Sequence, residues 1–195
     1  LTRATVAALL LGLAIGLPFA RSAGAQLLDI FSYHGQRPLQ VESTGGALLI
    51  ALRALDPASA QLAQTYGSAN VVGRWEAWPR LAASVLPFLS LALVSGWCWV
   101  ALRGAERALD LESVERRSSR VLVVAMCAAL VGQMTLGKVF SPQYLTWLLP
   151  LGVLAAALDG RSSMILLCVA FALTQLIYPF AYRVGLANAL HPGFG

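Results

Sequence analysis

Apolar residues along the chain gather into long runs, separated by stretches where polar and charged residues crowd together. Runs at 4–20, 81–102, 121–140, 144–158 and 164–182 approach or exceed the length of about 20 residues that crosses a bilayer as a helix. A shorter run, 47–55, is interrupted by Arg53 and cannot span by itself, so it is read as an interfacial or re-entrant helix capped by Thr44. The pattern predicts an all-α polytopic transmembrane helix bundle, one transmembrane domain over residues 1–195. It has about five full spans plus the short helix. Two readings of the first run stand side by side. It is either a span bounded by Arg3 and Arg21 or a signal peptide ending at the small residues Ala23, Gly24 and Ala25. If 41–55 were instead a span, every side assignment before it would flip.

Composition agrees with the pattern. The 195 residues are 58% hydrophobic and 12% charged, with a mean hydropathy of +0.70. Soluble domains carry about 25% charge, so this is the composition of an integral membrane protein. The net charge of +5 does not mark a nucleic-acid partner, because the arginines are spread between the apolar runs. Cys98, Cys127 and Cys168 occur singly in apolar segments without Cys-x-x-Cys spacing, which reads as core packing and not as a disulfide or metal framework. No metal site and no cofactor are expected. The arginine-dense connector 103–120, read as solvated, marks the cytoplasmic side. Residues 56–80 and 138–144 then fall on the extracytoplasmic side, and 26–43 joins them if the short helix does not span.

The polar stretches are where chemistry is concentrated. At 138–144 a cation, an amide and a phenol (Lys138, Gln143, Tyr144) meet a break at Ser141–Pro142, where proline removes a donor and biases its predecessor to extended angles. A plain interfacial turn, with Tyr144 and Trp147 as belt aromatics and Lys138 snorkelling, is the competing reading. The stretch 26–43 packs Asp29, His34, Arg37, Gln40 and Glu42 into little space, with Gly35 and Pro38 as breakers. The stretch 56–80 reads as a long irregular loop carrying Trp75 and Trp78, which either sit among headgroups or stack on a sugar face. Gln175, Tyr178 and Tyr182 share one helix face beside Pro179, facing either a wet cavity or another helix.

Three of these blocks carry a resemblance. The run Tyr33, His34, Gly35, Gln36, Arg37, Pro38, Leu39, Gln40, Val41, Glu42, Ser43 and the run 138–150 resemble two blocks of bacterial family 87 glycosyltransferases. Residues 174–179 resemble a third, weaker block, so the likeness covers 33–182 in order. The resemblance implies a membrane enzyme of the GT-C class, acting outside the cytoplasm in the bacterial inner membrane. Such an enzyme moves a sugar, mannose or arabinose, from a polyprenyl-phosphate donor to a glycolipid or polysaccharide acceptor. It also implies that the chain is the C-terminal half of a longer protein, with the catalytic aspartate upstream of Leu1.

Transfer from a lipid phosphate needs a base for the acceptor hydroxyl and cations for the departing phosphate. Arg37, Lys138 and Arg183 are the phosphate candidates, in that order. His34, Gln40, Glu42, Gln143 and Tyr144 are the candidates for acceptor or sugar contact. A non-enzymatic membrane protein, such as a lipid-linked-sugar flippase or a transporter subunit, is the alternative. A transporter would favour internal repeats and mid-membrane charge, and the chain displays neither. A degraded gene fragment without activity is a third reading.

Overall fold

The first apolar run folds as a helix, α1, over Thr2–Ala23. After a 3-10 turn at Gly24–Gln26 a second helix, α2, covers Leu27–Gln36. The computed structural model describes residues 2–105, 111–159, 161–176 and 178. Helix persists further into the polar stretch than its composition implied, because Asp29, His34 and Gly35 lie within α2 and do not break it. The bend falls at Gly24, whose φ of +52° suits a residue without Cβ. The stop falls at Arg37, held extended (ψ 126°) by the steric demand of Pro38. Thr5–Gln36, at 32 residues, is long and apolar enough to cross a membrane.

The chain forms two compact units, Leu1–Arg37 and Pro38–Gly195. In the second unit α4 (Ala77–Ala105) and α5 (Leu111–Leu136) pack side by side, and both are of spanning length. Little of the connector expected at 103–120 is therefore loop. Gly132 lets the pair approach closely, since a Cβ there would overlap the Ser90 hydroxyl.

Of the expected five spans, three helices are long and apolar enough among the described residues. Helices α6 (Leu145–Asp159) and α7 (Arg161–Leu176) have 15 and 16 residues. At 1.5 Å per residue they reach only about 23 Å, against a hydrocarbon layer of about 30 Å. Pro142–Tyr144 winds as a 3-10 turn at the Ser141–Pro142 break, and α6 begins directly after it, within one residue of the run read at 144–158. The expected remainder of the last span, with Pro179, Tyr182 and Arg183, lies outside the described residues, as does the tail with Asn188 and His191. Helices α6 and α7 pack on each other, with Gly152 against Leu167, and α6 packs on α5 around buried Met134, Leu145 and Leu148.

One feature was not visible in the apolar pattern. The stretch expected to be irregular contributes two strands, β2 (Gln61–Thr65) and β3 (Ser68–Val72), and a two-residue strand β1 (Leu39–Gln40) pairs with β3. All pairings are antiparallel and the order is β1-β3-β2. The short helix α3 (Thr44–Arg53) is present and, at 10 residues, does not span. Its cap is Ser43 and not Thr44: the Ser43 Oγ accepts from the Gly46 N–H at 3.0 Å. Thr44 instead donates to the Thr135 carbonyl of α5 at 2.5 Å. Leu39, Leu49, Ala60, Val71 and Ala83 form the buried core that joins sheet, α3 and α4.

Candidate functional site at the sheet end of the helices

Strand register decides where the polar residues point. Leu39 and its partner Val71 are fully buried on the α3 side. Successive side chains of a strand alternate, so Gln40 faces away from that core, on the same face as its partner Asn70. The two backbone N–H groups after Leu39 also diverge. That of Val41 donates to the Ala69 carbonyl at 3.0 Å, whereas that of Gln40 donates outward to the Lys138 carbonyl at 2.9 Å. That second bond covers the free edge of β1 and ties two distant polar blocks together.

The turn after β1 is held from within. Ser43 donates its N–H and its Oγ–H to the Gln40 carbonyl, at 3.0 and 2.7 Å, while capping α3. Glu42 is thereby presented from a fixed turn. Gly46 is required beneath it, because a Cβ at that position would run into the same Gln40 carbonyl. On the neighbouring strands, Tyr66 and Gly67 both have positive φ, +54° and +68°, the backbone of a two-residue type I′ hairpin turn. Tyrosine is unusual there, and a buried amide offsets the cost. Asn70 Nδ2 donates to the Thr65 carbonyl (2.6 Å), the Thr65 Oγ1 (2.9 Å) and the Ser68 carbonyl (3.1 Å), and its Oδ1 accepts from Ser68 Oγ at 3.2 Å.

These supports frame a cavity of about 330 Å³. Gln40 and Glu42 line it from the β1 turn, and Gln64, Gly67, Ser68 and Ala69 from the hairpin. Ser141, Pro142 and Gln143 line it from the break before α6, and Tyr178 from beyond α7. Residues from all four polar stretches singled out in the sequence thus converge on one space. Gln40 Oε1 and Glu42 Oε2 are buried acceptors with no hydrogen-bond partner among the described residues.

The sequence candidates separate on this geometry. Gln40, Glu42 and Gln143 line the cavity. Tyr144 does not; it packs edge-on to Phe140 and stacks on Trp147 with ring centroids 4.7 Å apart, so it belongs to the apolar cluster over α6. Lys138 is half-buried, and its backbone carbonyl is what reaches the β1 turn. His34, exposed and edge-on to Tyr33, and Arg37 belong to the first unit. Arg183 lies outside the described residues. Trp75 and Trp78 are exposed, with the Arg74 guanidinium 5.4 Å over the Trp75 ring.

Gln64, Ser68 and Ser141 were not singled out from sequence, since their place follows from hairpin pairing and the β1–Lys138 bond. Among the described residues the lining offers hydroxyls, amides and one carboxylate, and no Lys, Arg or His. Among the described residues no three His, Cys, Asp or Glu side chains gather as a metal site. No family model matches the chain, and neither a curated protein nor a solved structure does.

Proposed function

We propose that the protein is a membrane glycosyltransferase of the GT-C class, moving a sugar from a polyprenyl-phosphate donor to a glycolipid or polysaccharide acceptor. Mannose and arabinose are the sugars the family resemblance implies, and the extracytoplasmic face of a bacterial inner membrane is the site of transfer. The observation that carries this reading is the convergence of the 38–43, 138–150 and Tyr178 blocks on one polar cavity beside two helices of spanning length. Such a cavity is a costly thing to maintain at a membrane boundary unless it meets a polar ligand. Its size is at the low end of small-molecule sites, about 300–1,000 Å³.

The role of cation for the departing phosphate falls to Arg37, Lys138 and Arg183. The test uses the protein in membrane vesicles, with radiolabelled polyprenyl-phosphate mannose or arabinose. Label should pass to glycolipid or polysaccharide, and Arg37→Ala should reduce turnover by about 10²-fold or more while the protein still accumulates and folds. Movement of intact lipid-linked sugar across the bilayer, without transfer, would replace the enzyme with a flippase.

A further inference from the structure

We infer that the cavity between the β1 turn, the hairpin and the Ser141–Gln143 break is the subsite for the neutral acceptor sugar, and that the donor phosphate binds elsewhere. This rests on the transferase reading and narrows it. Gln40 Oε1 and Glu42 Oε2 are buried, line the cavity and receive no hydrogen bond among the described residues. A buried acceptor without a donor carries its full desolvation penalty, so the bound ligand must bring donors. An ionised carboxylate can only accept. A sugar supplies hydroxyl protons to both atoms, and its oxygens can accept in return from the Gln64 and Gln143 amides.

A phosphate fails the same requirement. As a mono- or diester anion it brings acceptor oxygens to atoms that already lack donors. It would also face Glu42 with no Lys, Arg or His among the described lining residues to compensate. Like charges in a partly dry site repel strongly. The volume of about 330 Å³ suits one sugar ring and not a chain of them. Glu42, at the head of the turn that Ser43 pins, is the residue that orients an acceptor hydroxyl through a charge-assisted hydrogen bond.

The experiment measures binding apart from transfer. The purified 195-residue chain in detergent or nanodiscs is titrated calorimetrically with methyl mannoside, methyl arabinoside, mannose 1-phosphate and an alkylammonium salt. The neutral glycosides should bind, and mannose 1-phosphate about tenfold more weakly or not at all. Glu42→Gln, which keeps the shape and removes the charge, should weaken glycoside binding about tenfold, as loss of a charged hydrogen bond predicts. Gln143→Ala alters an exposed side chain of the lining and should weaken it severalfold with the fold intact by circular dichroism. Equal or tighter binding of the phosphate, tighter binding of the ammonium, no glycoside binding, or indifference to both substitutions would each overturn the inference. If transfer is observed with such a result, the transferase stands and the subsite is wrong. If the glycosides bind as expected but no transfer occurs, the subsite stands as a sugar site and the enzyme reading falls.

Discussion

Ser43 shows how much of the site hangs on one small side chain. Its hydroxyl accepts from Gly46, its Oγ–H and N–H both reach the Gln40 carbonyl, and it is fully buried. The same serine thus starts α3 and fixes the turn that carries Glu42. Replacing an N-cap serine with alanine costs roughly 0.5–2 kcal/mol. Burial, and the loss of the bond to Gln40, place Ser43→Ala at the upper end. Thr44→Ala, at the exposed position that composition pointed to, should cost less. Gly46→Ala should exceed both, because the added methyl forces the Gln40 carbonyl to move and overpacking of this kind costs about 1–3 kcal/mol. Thermal unfolding in detergent orders the three. Equal midpoints for Ser43→Ala and Thr44→Ala would contradict the assignment of the cap.

Between elements, the most informative contact is the one from Gln133 of α5 to α4. Pro87 interrupts the α4 hydrogen-bond ladder, and Gln133 Nε2 donates to the Pro87 carbonyl at 2.7 Å. Interhelical bonds of this type are worth about 0.6 kcal/mol on average and up to about 1.7 in membranes. Gln133→Leu should therefore lower resistance to SDS unfolding by an amount in that range, and an unchanged transition would mean that this bond adds nothing to the pairing of α4 and α5. The long helices were legible because a run of apolar residues needs no tertiary partner to declare itself. The hairpin was hidden for the opposite reason. Gln61, Ala63 and Gln64 are weak strand formers, and Tyr66-Gly67 lacks the Asn-Gly or Asp-Gly signal of a tight turn. Only the buried bonds of Asn70 and the pairing with β1 make strands of them. The site divides the same way: Gln40, Glu42 and Gln143 stand out as polar residues at the ends of apolar runs. Gln64, Ser68 and Ser141 acquire meaning from pairing and from the bond between Gln40 and Lys138. The bounds of α6 were legible, since the run 144–158 starts at the Ser141–Pro142 break; its 15 residues are short of a span.

At the scale of the second unit, the direction of α4 and α5 shows which polar segments gather at one end of the helix pair. Thr44, at the start of α3, bonds to Thr135 near the end of α5, and an apolar groove joins Thr44, Trp78, Pro79 and Leu136. The first turns of α4 and the last turn of α5 therefore lie together, beside the sheet and the cavity. Ala105 and Leu111, both inside the arginine-dense stretch 103–120, lie at the far ends of the same two helices. If both helices cross the bilayer, the cavity and the arginines face opposite sides, and arginine density places the cavity outside the cytoplasm. Cysteine accessibility tests this in whole cells, after Cys98, Cys127 and Cys168 are replaced by alanine. Gln64→Cys, exposed on the hairpin, should react with an impermeant maleimide added outside, and Arg117→Cys, exposed on the first turns of α5, only after permeabilisation. The reverse pattern would turn the cavity toward the cytoplasm, out of reach of an extracytoplasmic acceptor. Labelling of both from one side would mean that α4 and α5 do not cross, and their 29 and 26 residues would then need another explanation than bilayer thickness.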